Sequence, residues 1–228
     1  MGVQRDHGEG LRGFQALLGA GRWRELRSLG ASRTYRRGAL LLRQGEPGEH
    51  ALALTRGRVK VLGTEPGGAQ VLVAFRGAGD LVGEMAIRSG TRSATVKALD
   101  RCTAWHIPGG ALEEFLRRHD AQSLFADYLV AKLSETVSSQ LQQAHFTPLQ
   151  RLSRLLLDVL ELADEDQADR MRIPLSQEAI ARALGLARST IAEQIAALRR
   201  DRALGPGPRL IVADPERLAR CAEVSADR

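Results

Sequence analysis

Cysteine, lysine and aromatic residues are all scarce in this chain of 228 residues. The two cysteines, Cys102 and Cys221, lie far apart with no Cys or His neighbour at ligand spacing. No disulfide framework, structural zinc site or iron–sulfur ligand set can be built from them. No apolar run reaches the ~18 residues of a membrane span, and no charged-then-apolar leader opens the chain. The chain therefore reads as cytoplasmic, with no membrane partner. No nucleophile–base pair stands out, and GAGDLVGE (77–84) lacks the Lys-Ser/Thr ending of a phosphate loop. The expectation is a protein that is not an enzyme, without a metal or prosthetic group.

The formal net charge is +6, and only three of the 33 basic residues are lysines: Lys60, Lys97 and Lys132. A basic balance favours nucleic acid or an anionic surface as partner. An arginine bias is equally what base-rich codons produce, so charge alone leaves both readings open. Apolar residues make up 43% of the chain, enough for one large or two ordinary domains.

Three textures follow one another. Residues 11–30 read as short helical turns, with Phe14, Leu17, Leu18, Trp23, Leu26 and Leu29 as the apolar set. From residue 33, short apolar runs (39–42, 51–54, 59–62, 71–75, 94–99, 103–107) alternate with glycine-containing turns. Strands at roughly 8–12-residue spacing predict a sandwich, roll or barrel. A ligand-sized space would then lie inside the roll. Residues 111–144 contain neither Gly nor Pro, and Val130, Leu133, Val137, Leu141 and Ala144 recur at helical spacing. That predicts one long amphipathic helix with a seam suited to pairing, or else a helix packed on its own domain. Phe146-Thr147-Pro148 breaks it, and a domain boundary is expected at 144–148. A helix at 149–163 and an acidic loop at 164–169 follow.

The segment SQEAIARALGLARSTIAEQIAALRRD (176–201) is the most regular piece. Ser176 can cap a helix, and Glu178 suits the dipole of its first turn. Ala181 is small enough for a close crossing, Gly185 can take the positive φ of a tight turn, and Ile191 can anchor a second helix. With Ile191, Ile195 and Leu198 inward, Arg188, Ser189 and Glu193 face out. Double-stranded DNA is the partner this helix-turn-helix pattern fits; an ordinary helical hairpin is the alternative. Arg188 suits a bidentate contact to guanine, Ser189 and Thr190 suit phosphate or base edges, and Glu193 suits either accepting from cytosine or repelling phosphate. Ser176 and Gln177 complete the expected DNA contacts. Residues 204–214 read as a turn and a wing.

Within the stretch of short strands lies GEMAIRSGTRSATV (83–96), with a carboxylate (Glu84) and a guanidinium (Arg92) at the ends of one tight segment. A hairpin held by a Glu84–Arg92 pair is one reading. An exposed pair is worth only ~0–1 kcal/mol, a weak reason for so specific a pattern. A ligand with a hydroxyl and a phosphate is the other.

GEMA…RSATV resembles the phosphate-binding cassette of the cyclic AMP receptor protein (CRP)/FNR superfamily of transcription regulators. Roll, long helix and winged helix-turn-helix occur in that family's order along almost the whole chain. The resemblance implies an α+β chain in three parts. These are an N-terminal β-roll of cyclic-nucleotide-binding type (1–110), a central dimerisation helix (111–145) and a C-terminal winged helix-turn-helix (146–228). It implies cyclic AMP as allosteric ligand, with cyclic GMP as the alternative, a homodimer on promoter DNA, and RNA polymerase as a further partner. Arg92 and Ser93 would hold the phosphate, and Glu84 the ribose 2′-OH. Gly83 would allow close approach, with Val73, Leu81, Val82 and Met85 as the apolar wall. Alignment adds Lys132 near Glu84 and Thr136 at the base. Val137 stands where the enteric protein has a serine, a role that Ser139 could take over. Ser189 and Glu193 replace two base-reading residues, so a different operator is expected, and the 84–92 segment is shorter than in that protein. A regulator indifferent to cyclic nucleotide, or one that senses haem, is the rival; His106 and His119 have no evident partners for haem.

Overall fold

The computed structural model describes residues 11–223, apart from the side chains of 138–144. Helix α1 (Gly13–Ser28) kinks at Gly19, whose φ is +79°. Its faces bury Phe14, Leu18, Trp23 and Leu26, whereas Leu17 and Leu29 of the expected apolar set are exposed.

Eight antiparallel strands follow: β1 (Ala31–Tyr35), β2 (Leu40–Leu42), β3 (His50–Arg56), β4 (Val59–Thr64), β5 (Gln70–Arg76), β6 (Leu81–Val82), β7 (Thr95–Ala98) and β8 (Cys102–Pro108). They form two four-stranded sheets, ordered β1-β8-β3-β6 and β2-β7-β4-β5. This is the expected roll. Alternation along β3 explains its uninterrupted apolar run. Leu52 and Leu54 face the roll interior with Val59, Val82, Val96 and Cys102. Ala51 and Ala53 face the other way, onto Phe14, Trp23 and Phe115.

One expectation fails. Residues 111–144 are not a single helix but α3 (Gly109–Arg118) and α4 (Gln122–His145). Asp120 between them has φ +49°. The Ala121 N–H donates back to the Leu116 carbonyl at 2.8 Å and closes the α3 terminus. Aspartate enters the left-handed region more readily than most residues, so a helix can end here without glycine or proline. The buried residues Leu112, Phe115 and Leu116 tie α3 to the roll cluster, which leaves α4 alone as the central helix.

Helix α5 (Pro148–Glu161) begins where the break was expected. Thr147 and Gln150 form a reciprocal capping box with proline in the first turn. After the acidic loop come α6 (Gln177–Leu184), α7 (Arg188–Arg200) and α8 (Pro215–Ala222), which the sequence reading had not anticipated. Leu152, Leu156, Val159, Ile180, Ile191, Ile195, Leu198 and Leu218 build one core among them. The wing is narrow: isolated bridges join Arg172 to Ile211 and Leu204 to Val212. Among the described residues no helix is long and apolar enough to cross a membrane.

Candidate functional site

The chain leaves β6 through Gly83 at φ +79°. A methyl group there would lie 2.5 Å from Arg92 Nη1 and 2.6 Å from Leu42 Cδ1. Backbone conformation and close approach therefore both demand glycine. Gly83→Ala is expected to destabilise the fold by about 1–3 kcal/mol, measurable by chemical denaturation, because the strain falls on a packed segment.

A single helical turn, α2 (Ala86–Ser89), carries the chain to Gly90, which closes it at φ +80°. The short segment is then stitched to the loop after β2. Arg92 N donates to Glu46 O at 2.9 Å, Gly45 N to Arg92 O at 2.9 Å, and Gly48 N to Gly90 O at 3.0 Å. These bonds make the tight loop viable and deliver Arg92 to the interior.

Glu84 and Arg92 are each only 3% exposed. They do not pair with each other, which removes the hairpin reading. Glu84 Oε1 accepts from Lys132 Nζ of α4 at 2.6 Å. Lys132 also donates to Leu81 O at 3.1 Å. Arg92 Nη1 donates to Gly83 O at 2.6 Å, and its Nη2 is buried with no partner among the described residues. Burial pulls the guanidinium below its ordinary pKa, with Glu84, Glu46 and Glu49 opposing. The result is an unsatisfied, desolvated cation that suits an anion.

A cavity opens beside it, lined by Val73, Val82, Gly83, Glu84, Met85, Arg92, Ser93, Lys132 and Thr136 of the expected set. It lies between the second sheet, the Gly83–Arg92 segment and α4, not wholly inside the roll. Leu81 is the exception. It faces Phe14, Ile107 and Tyr128 in the helix-side core, because successive strand residues point to opposite faces. Ser139 lies outside the residues whose side chains are described. Thr136 Oγ1 donates to its own helix at Lys132 O, 3.1 Å away.

Several lining residues were missed: Leu42, Val61, Ala74, Arg76, Leu129 and Leu133. Period-two alternation from Val73 could not have found Arg76, which sits three residues on. Arg76 Nη1 meets Glu135 of α4 at 2.9 Å, and its Nε is buried without a partner among the described residues. Tyr128 was missed too. Its hydroxyl donates to Asp80 Oδ1 at 3.1 Å and accepts from Leu81 N at 3.0 Å, pinning α4 to the loop that leads into Gly83. Burial raises the pKa of both Asp80 and Tyr128.

The two histidines considered for haem do have partners. His106 stacks on His50 at 4.9 Å and meets the Tyr35 hydroxyl at 2.5 Å. Burial and the neighbouring His50 lower its pKa to about 4. His119 pairs with Glu25 at 2.9 Å. Among the described residues no group of three His, Cys, Asp or Glu could hold a metal ion.

The second candidate surface is on α6 and α7. Ser176 Oγ accepts from Ala179 N at 3.1 Å and caps α6. Gly185 takes φ +61° at the turn, and Ala181 and Ile191 are buried as expected. Gln177, Arg188, Ser189 and Glu193 are exposed, and Thr190 is half-buried. Arg188 Nη2 meets Glu178 Oε1 at 2.6 Å, across the turn. Both side chains are largely exposed, so the pair holds Arg188 only weakly.

Residues 32–119 match the family model of a cyclic nucleotide-binding domain, and residues 150–221 that of a Crp-like helix-turn-helix domain. The chain is 26% identical to the CRP-like cAMP-activated global transcriptional regulator of Mycobacterium tuberculosis over 194 residues, 82% of this chain and 86% of that one. Cyclic-GMP-dependent protein kinase 2 of Rattus norvegicus is 29% identical over 138 residues, 60% of this chain and 16% of the kinase. Among solved structures, FixK2 of Bradyrhizobium japonicum has a TM-score of 0.70 at 21% identity, covering 86% of this chain and 99% of its own. The c-di-GMP-responsive regulator CLP of Xanthomonas campestris has a TM-score of 0.67 at 19% identity, covering 86% and 100%. A cyclic-nucleotide-binding roll joined through a central helix to a Crp-like DNA-binding domain is what sequence and fold agree on: the chain belongs to the CRP/FNR family of transcription regulators.

Proposed function

We propose that the chain is a cAMP-responsive homodimer that binds promoter DNA when the nucleotide occupies the cavity between roll and α4. The observation that carries this reading is Arg92, a buried guanidinium with a free Nη2 beside a carboxylate. A cyclic phosphate would neutralise it through charge-assisted hydrogen bonds. Ser93, exposed at the same rim, would add its hydroxyl. Glu84, oriented by Lys132, would accept from the ribose 2′-OH. Val73, Val82 and Met85 would cover sugar and base, and Thr136 would contact the base edge, with Ser139 a turn further on.

The nucleotide would touch the roll through Arg92 and Glu84, and α4 through Lys132 and Thr136. It can shift the dimer only by binding two arrangements unequally. The division proposed is a roll over 1–110, a dimerisation segment over 111–145 and a DNA-binding domain over 146–228. The seam would be Val130, Leu133 and Val137, exposed by 62%, 65% and 48% on α4, continued by Leu141 and Ala144, which lie outside the residues whose side chains are described. Paired recognition helices would then read half-sites ~34 Å apart. RNA polymerase is the further partner, and no catalysis is assigned.

The name of the Mycobacterium tuberculosis relative favours cAMP. Likeness to the cGMP-dependent kinase, with the Ser93 hydroxyl at the cavity rim, supports cGMP as the second reading. Calorimetric titration with cAMP, cGMP and 2′-deoxy-cAMP tests both. Saturable binding of cAMP, weakened for the deoxy analogue, is the expected result; no heat from either ribonucleotide at millimolar concentration would sink the nucleotide reading. On DNA, Arg188→Ala is expected to cost about 1–3 kcal/mol at one base pair and relax the preference there. A binding-site selection with both proteins would detect it.

A further inference from the structure

The DNA-binding domain does not hang from α4 alone. It is seated on the roll through the turn between β3 and β4, and at the centre of that contact is Arg58. This side chain is 1% exposed, the largest of the fully buried side chains. Its Nε donates to Asp100 Oδ2 at 2.5 Å, within the roll. Its Nη1 donates to the Val159 carbonyl of α5 at 2.9 Å, and its Nη2 to the Arg172 carbonyl, before α6, at 3.3 Å. All three guanidinium nitrogens are engaged, one with the roll and two with the backbone of the other domain.

Weaker ties surround it. Gly57 N donates to Asp164 Oδ2 at 2.8 Å, Arg56 pairs with Asp166 at 2.6 Å, and Arg37 Nη2 donates to Pro174 O at 3.0 Å. The Arg56–Asp166 pair is more than half exposed on both sides, so water and salt weaken it. Arg58 is different in kind. It cannot leave its partners without stranding a buried charge. Its acceptors on the far side are main-chain carbonyls, so it registers where α5 sits and not which side chains α5 carries.

The same strands reach the nucleotide cavity. Val61 of β4 lines the cavity three residues from Arg58. On β5, Val73 and Ala74 line it, while Leu72 and Phe75 pack against the core of the DNA-binding domain. One sheet thus lines the cavity with some side chains and meets the DNA-binding domain with their neighbours.

We propose that Arg58, held by Asp100, is a positioning residue that sets the DNA-binding domain on the roll and transmits nucleotide binding to it by a route separate from α4. The transmission rests on the proposed function; the positioning does not.

The full-length protein and its Arg58→Ala, Asp100→Asn and Asp166→Asn variants test it in three assays. Calorimetry reads cAMP affinity, fluorescence anisotropy reads DNA affinity with and without saturating cAMP, and scanning calorimetry of the protein alone reads domain coupling. In Arg58→Ala, cAMP affinity is expected to stay within about threefold, since no cavity residue is touched. The ratio of DNA affinities with and without cAMP should fall at least about tenfold toward one. The melting profile should split as roll and DNA-binding domain uncouple. Asp166→Asn, which removes only the exposed Arg56 pair, should leave the ratio within about threefold. An unchanged ratio, or a single undivided transition, in folded Arg58→Ala overturns the proposal. Should that variant fail to fold, the same readings on Asp100→Asn decide. Should the wild-type protein bind no cyclic nucleotide, the proposed function fails and the melting profile alone judges Arg58.

Discussion

Arg92→Ala is expected to weaken cyclic-nucleotide binding by at least about 30-fold without lowering the stability of the protein alone. Truncating one partner of a buried charge pair costs about 2–5 kcal/mol, and each 1.4 kcal/mol is about tenfold. The second half of the expectation is the more discriminating. Arg92 is 3% exposed, burial depresses its pKa, and Nη2 has no partner among the described residues. A residue kept for the fold would be satisfied. One kept for an anionic ligand carries a desolvation cost that alanine removes. Thermal melts with and without cAMP measure both halves. At about 100 times Kd, nucleotide should stabilise the wild type by about 2.7 kcal/mol, and at the same concentration Arg92→Ala by less than about 1 kcal/mol. A marked loss of stability without nucleotide would instead make Arg92 a structural tie between Gly83 and the β2 loop.

Val130→Asp is expected to turn the proposed dimer into monomers at micromolar concentration and to cut DNA affinity by about 100-fold or more. Helix α4 has two apolar faces. Leu124, Phe125, Tyr128 and Leu129 pack with Phe14 and the roll, whereas Val130, Leu133 and Val137 stay open to solvent. A contiguous apolar stripe on a long helix marks a partner surface. Val130 is outside the cavity lining, while Leu133 belongs to it, so Val130 separates pairing from ligand binding. Two linked half-sites gain about 10²–10⁴ in avidity over one, and a monomer forfeits that gain. Sedimentation gives the mass, anisotropy the DNA affinity and calorimetry the nucleotide stoichiometry. A dimer that persists in Val130→Asp would place the seam elsewhere.

The roll was legible because its strands alternate with glycine turns, and the helix-turn-helix because Ala181, Gly185 and Ile191 each answer a distinct packing need. Strands β1 and β6 were not legible. Most of β1 is exposed, and β6 is two residues long, too short for any period. The break at Asp120 was hidden because a left-handed aspartate leaves no mark in a hydrophobic pattern. The sequence reading left open whether the long helix pairs or packs on its own domain; the two faces of α4 leave room for both.

Residue types and local spacing alone determined the order of the parts and the chemistry of the cassette: a carboxylate, a guanidinium and the glycine between strand and turn. These are local requirements, met by neighbours in the chain. Only the tertiary structure decided which charge meets which. Glu84 turns to Lys132 and Arg92 to the Gly83 carbonyl, although spacing alone would have joined the two carried by one loop. It also decided that Leu81 leaves the cavity while Arg76 enters, and that Arg58 ties the roll to α5. Such pairings depend on burial and on contacts a hundred residues apart, as between Arg58 and Val159 (a separation of 101). A linear pattern cannot carry them, because desolvation is a property of the packed interior and not of the chain.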